Sequence, residues 1–123
     1  MPEALFFEPR NGVFDTLQVT EYVSRLGHAR ADSDKPGRYL VFTDPEEARR
    51  YDGRPPGTRT PFVLIVWVSP EQISLALLCD EQGLALARQF AAWVTSLYDC
   101  RIEDDEGEDR TDEPLDSLLS GDE

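Results

Sequence analysis

The side chains that could carry acid–base or nucleophilic chemistry are few in this sequence. His28 is the only histidine, and it follows Gly27, a residue type that often ends a helix. It could serve as a general base or pH sensor, or it could be an exposed loop residue. Cys79 and Cys100 lie in no Cys-x-x-Cys or Cys–His cluster, and no serine has the Gly-x-Ser-x-Gly pattern. We therefore expect a protein that is not an enzyme and that needs no cofactor.

Carboxylates are abundant, but their spacing favours other roles than catalysis. Asp44, Glu46 and Glu47 flank Pro45 in the order of a helix N-cap and first turn. The acidic run 103–109 departs from the calcium-loop pattern because Gly107 stands at the wrong offset from the first acid. We expect no metal site there. A small enzyme with paired carboxylates stays a third hypothesis, which would require a concave pocket with converging acids.

The acidity of the chain is concentrated at its C-terminal end. The formal net charge is −13, and residues 103–123 hold eleven of the 25 acidic residues against one basic residue, Arg110. That segment carries −10, whereas residues 1–102 carry −3, with eleven basic and fourteen acidic residues. Such a molecule is expected to be repelled by nucleic acid and anionic membranes and to be attracted to a basic protein partner.

Neither a secretion signal nor a membrane span is predicted. The first residues lack a positively charged segment followed by an apolar run. The longest apolar stretch, residues 62–68, has seven residues, whereas a membrane helix needs about 20. A cytoplasmic location follows as the expectation. In that compartment Cys79 and Cys100 are expected to be reduced thiols, with a disulfide or redox pair as the alternative.

The helices and strands that must position these residues are predicted to form a single α/β domain. The predicted order is β-α-β-α-β-β-α-β, in which residues 28–38 form a polar loop and residues 62–68 form a strand buried on both faces. Residues 62–79 are predicted as a hairpin, although Pro70 could instead open a helix. We expect a two-layer sandwich: a mixed sheet of about five strands with two or three helices. Residues 1–102 form the domain, and 103–123 form a partly disordered acidic tail.

Candidate partner-binding residues are acidic clusters, exposed arginines, aromatic anchors and the leucines of the tail. They are Asp44, Glu46, Glu47, Tyr51, Arg54, Arg59, Trp93, Tyr98, Asp104, Asp105, Glu106, Leu115, Leu118 and Leu119. Core packing is the competing role for each aromatic residue, and Trp67, in mid-strand, is expected in the core. The three leucines have helical spacing, so they could fold back onto the domain or insert into a groove of a partner.

In size, acidity, α/β pattern and lack of catalytic residues, the chain resembles the small acidic immunity proteins of bacterial type VI secretion and other polymorphic toxin systems. The resemblance implies a protein that binds a cognate toxin stoichiometrically and blocks it. The alternative is an adaptor or chaperone that recruits a basic partner through the acidic tail. Deleting residues 103–123 would separate the two, since an adaptor would lose binding and an inhibitor mainly its association rate.

Overall fold

The computed structural model describes residues 2–55, 59 and 61–120. They contain six strands and four helices. In chain order these are β1 (Ala4–Pro9), α1 (Thr16–Ser24), β2 (His28–Ala31), β3 (Arg38–Phe42), α2 (Pro45–Asp52), β4 (Leu64–Val68), β5 (Ile73–Ala76), α3 (Glu81–Leu97), β6 (Cys100–Asp104) and α4 (Leu115–Leu118). The predicted α/β two-layer sandwich is confirmed.

Three helices begin at the aspartates that the sequence marks as N-caps. The carboxylate of Asp15 accepts hydrogen bonds from two backbone N–H groups of α1, Asp44 accepts one from Glu46, and Asp80 accepts one from Gly83. Each of these bonds satisfies an N–H group that has no partner within the helix. Local capping chemistry thus fixes where α1, α2 and α3 start.

The sheet differs from the expected mixed one because every neighbouring pair of strands is antiparallel. The strand order is β2-β3-β4-β5-β1-β6. Helix α1 connects β1 to β2, and α3 connects β5 to β6; in each case the two connected strands run in the same direction. In the sheet, however, β3, β4 and β5 lie between β1 and β2, and β1 lies between β5 and β6. Strands that are parallel are therefore never hydrogen-bonded to each other. The predicted hairpin β4–β5 is present.

The sixth strand, β2, lies in the segment that the sequence predicts as a polar loop. It pairs with β3 from His28 opposite Phe42 to Ala31 opposite Tyr39. Its alternating side chains explain why it forms, since Ala29 packs on the core while Arg30 points away and binds Asp52 at 2.9 Å. An edge strand needs only one apolar side, so the polar composition of this segment is compatible with pairing.

The helices cover the two faces of the sheet unequally. On one face, α1, α3 and α4 pack over β1, β4, β5 and β6 to form the main core. On the other face, only α2 packs, and it covers Leu40 and Phe42 of β3. The expectation that residues 62–68 are buried on both faces, with Trp67 in the core, is therefore wrong. Leu64, Val66 and Val68 are buried, but Trp67 points to the uncovered face and is 40% exposed.

The acidic C-terminal segment continues the domain. The N–H of Arg110 donates to the carbonyl of Ile102 at 2.7 Å, and the Thr111 hydroxyl accepts from the N–H of Ile102 at 3.0 Å. Residues 110 and 111 thus run along the outer edge of β6. Further on, α4 places Leu118 and Leu119 in the main core, and Arg88 of α3 donates to the carbonyl of Leu119 at 2.7 Å.

Candidate protein interaction surface

A tight acidic turn follows β6 and is organised around the buried carboxylate of Asp104. This carboxylate is 3% exposed and accepts hydrogen bonds from the N–H groups of Glu106 at 2.9 Å and Glu108 at 3.0 Å. The Arg110 guanidinium donates to its other oxygen at 2.8 Å. Burial raises the pKa of Asp104, but these hydrogen bonds and the nearby positive charge outweigh burial, so its pKa lies below the usual 3.8. The carboxylate is therefore ionised at neutral pH.

Two arginines hold five further carboxylates of this region in place. Arg110 also contacts Glu113 at 2.8 Å and Glu108 at 3.3 Å. Arg101 on β6 binds Glu103 and also lies 3.3 Å from Glu8 and 3.4 Å from Asp109. Each guanidinium therefore serves three carboxylates, so each cluster keeps a negative charge of two. Because Arg101 and Glu103 alternate with Ile102 and Asp104 along β6, the two clusters lie on opposite faces of this strand and together give the β6 edge a fixed negative charge. We call this edge the fixed acidic surface.

Four other acids of the segment are exposed. Asp105 accepts hydrogen bonds from the N–H groups of Glu3 at 2.9 Å and Ala4 at 3.3 Å, which joins the turn to the start of β1. The side chains of Glu106, Asp112 and Asp116 are exposed and make no hydrogen bond or ion pair within the described residues. They are free to meet a partner's charges.

Beside this acidic surface lies the part of the sheet that α2 leaves uncovered. Trp67 of β4, Ser74 of β5 and Phe6 of β1 are direct neighbours across the strands, and Glu103 follows Phe6 on β6. A hollow lined by Phe6, Glu8, Glu103 and Asp105, among others, connects this row with the acidic turn. We call the Trp67–Ser74–Phe6 row the open sheet face. Sequence reasoning missed it, although Ser74 and Ala76 on β5 are a signal that this side of the sheet is not deeply buried.

The predicted site residues fall into groups that the fold keeps apart. Those of α2 and the segment after it lie over the β3 end of the sheet, whereas the turn with Asp104, Asp105 and Glu106 follows β6 at the opposite edge. Asp44 caps α2, and Glu46 binds Arg49. The α2 group comprises Asp44, Glu46, Glu47, Tyr51 and Arg54, with Arg59 exposed further along the chain.

The aromatic and leucine candidates make intramolecular contacts. Trp93 stacks on Tyr22 with ring centroids 4.1 Å apart. The Tyr98 hydroxyl accepts from the N–H of Asp15 at 3.1 Å, and its ring packs edge-on against Phe14. Tyr51 packs against Phe42. Leu118 and Leu119 are buried, and Leu115 packs on the same core.

The single histidine and the two cysteines form no common cluster in the part of the chain that the structure describes. Within the described ranges, no group of three or more His, Cys, Asp or Glu side chains is placed to hold a metal ion. His28 is exposed on the edge strand β2. Cys79 and Cys100 are not bonded to each other, and burial together with the neighbouring Asp80 and Asp99, respectively, raises the pKa of each thiol to about 11. Both thiols are therefore protonated at neutral pH and poorly nucleophilic.

No helix in the part of the chain that the structure describes is long and apolar enough to cross a membrane. Comparison of the chain with protein-family models, with curated proteins and with solved structures finds no match.

Proposed function

We propose that this protein is a non-enzymatic binding protein that neutralises a basic protein partner by stoichiometric binding, in the manner of an immunity protein and its toxin. The observation that carries the proposal is the fixed acidic surface after β6. Arg101 and Arg110 hold six carboxylates there, and Glu106, Asp112 and Asp116 add free charges.

A fixed field of one sign favours association with a partner of the opposite sign. Concentrated surface charge raises encounter rates by roughly 10- to 1,000-fold, and it discourages partners of like charge. Because the carboxylates are already positioned by internal ion pairs and backbone hydrogen bonds, less conformational entropy is lost when a partner docks. A basic protein, such as a toxin domain that acts on nucleic acid, fits this surface.

The proposal is tested with the purified product of the gene directly upstream, which for an immunity protein would encode the toxin. We expect that product to be basic, to form a one-to-one complex, and to lose its activity completely at one molar equivalent. Absence of a complex even at low salt would contradict the proposal. A complex in which the partner keeps its full activity would instead support the adaptor.

The burial of the tail leucines gives less support to the adaptor hypothesis than to the inhibitor. Leu118 and Leu119 belong to the core, so a partner groove could take them only if α4 left the domain. An adaptor would therefore have to recruit its partner through the exposed carboxylates alone, and such surface charge pairs contribute little affinity each.

A further inference from the structure

We propose that the open sheet face is the anchor of the complex and that it takes an apolar side chain of the basic partner flanked by lysine or arginine. This inference rests on the proposed function and assigns the binding face. Its basis is the juxtaposition of Trp67, Ser74 and Phe6 with the carboxylates at the β6 edge.

The open sheet face forms a shallow trough. Adjacent strands lie about 4.8 Å apart, so Trp67 and Phe6, two strands apart, are separated by about 10 Å. Ser74 lies between them, and Ala76 lies between Ile65 and Ala4 one step further along the strands. Large side chains thus flank Ser74 on both sides and Ala76 on one side. Hollows beside Trp67 and Phe6 leave room for an inserted apolar side chain.

Trp67 is held in position before any partner binds. The Arg38 guanidinium lies 5.6 Å from the centre of its ring. Arg38 is itself 8% exposed, and it is paired with Asp32 at 3.2 Å. A rigid aromatic side chain provides contact area at little cost in conformational entropy, and tryptophan is enriched among the residues that dominate binding energy.

Charge decides which occupant suits the trough. On the Phe6 side the row ends at Glu103, and Glu8 and Asp105 line the adjoining hollow. Arg101 balances only part of this charge, because it is shared by three carboxylates. A partner whose apolar side chain sits over Ser74 would place flanking cationic groups next to these acids. A second copy of the chain is disfavoured, since each copy has a net charge of −13.

The test compares three variants for binding to the purified upstream gene product. Trp67→Ala removes one side of the trough, and Ser74→Arg fills its floor and adds a repelling charge without creating a cavity. Leu17→Ala is the matched control, because Leu17 is exposed on α1 in the helix layer. Thermal unfolding of each variant checks the fold, and Ser74→Arg decides the outcome if Trp67→Ala fails to fold.

We expect Trp67→Ala to raise Kd about 30-fold or more, mainly through faster dissociation. Ser74→Arg should abolish binding, and Leu17→Ala should leave Kd within about 2-fold. If wild type binds and both trough variants bind equally well, the inference is overturned while the proposed function stands. If wild type does not bind, the proposed function itself fails. A wild-type homodimer in sedimentation experiments that Ser74→Arg dissociates would show that a second copy occupies the face, which also overturns the inference.

Discussion

Replacing Leu119 with alanine tests whether the acidic C-terminal segment is part of the folded domain. Leu119 is 0% exposed and packs in the main core. Leucine-to-alanine changes in cores cost about 2–5 kcal/mol of unfolding free energy. Leu119 follows the four-residue helix α4, and so short an element can shift to fill part of the vacated space, so we expect the lower part of that range, about 2–3 kcal/mol.

The assay is urea unfolding at neutral pH, followed by circular dichroism. A loss of 2–3 kcal/mol corresponds to a fall of about 1–2 M in the urea midpoint for a domain of this size. The control is Leu17→Ala, since Leu17 is 81% exposed and its truncation should change stability by less than about 0.5 kcal/mol. If both variants unfold at the wild-type midpoint, the segment does not pack on the domain and the described position of α4 is wrong.

The stability that Leu118 and Leu119 contribute determines how the acidic segment should be tested for function. Leu118 is 3% exposed, so a truncation after residue 102 would remove two core leucines together with the Asp104 turn. The loss of about 4–6 kcal/mol from the leucines alone approaches the entire stability of a marginal domain, about 5 kcal/mol. Charge-neutralising point substitutions are therefore the appropriate way to separate an inhibitor from an adaptor.

Three further predictions concern single positions. Gly37 has φ +87°, and a Cβ there would lie 2.8 Å from the carbonyl oxygen of Val68. Gly37→Ala should therefore lower the free energy of unfolding, measured by heat or urea, by about 1–2 kcal/mol or more. Unchanged stability would contradict this turn geometry. The lowered pKa of Asp104 stabilises the fold above about pH 4, and this contribution is lost as the pH falls through the folded-state pKa. The difference in unfolding midpoint between wild type and Asp104→Asn should therefore shrink in acid. A constant difference from pH 7 to pH 2 would argue against an ionised, hydrogen-bonded carboxylate. With thiol pKa values of about 11, roughly one thiol in 10,000 is ionised at pH 7. Cys79 and Cys100 should therefore react with a thiol reagent only after unfolding. Rapid reaction of the native protein would contradict these buried environments.

Local chemistry made the helix starts and the hairpin predictable from sequence. The N-caps Asp15, Asp44 and Asp80 act within three residues of themselves, so no tertiary information is needed to recognise them. The alternating residues 73–76 likewise reveal β5. Strand direction was not predictable in the same way. It depends on which strands become neighbours, and α1 and α3 each carry the chain past intervening strands.

The candidate site was only partly predictable for a related reason. The acidity of residues 103–116 is evident from composition, but its fixed arrangement depends on Arg101 and Arg110, whose partners are identified only once β6 and the turn have formed. Trp67 has apolar neighbours on both sides in sequence, which predicts burial. Its exposure follows from the position of α2, which packs on Leu40 and Phe42 and leaves β5 and β1 uncovered.

The central claim is that the fixed acidic surface guides a basic protein to this domain. The most direct test is the association rate constant with the upstream gene product as a function of ionic strength. The variant Glu106→Gln/Asp112→Asn/Asp116→Asn removes three charges that make no contact within the described part of the chain, and Glu21→Gln/Asp34→Asn/Glu81→Gln removes the same number elsewhere. We expect the wild-type rate to fall steeply with salt, the first variant to associate about 3- to 10-fold more slowly at low salt, and the second to stay within about 2-fold of wild type. Equal rates for the two variants, or a wild-type rate independent of salt, would contradict the claim.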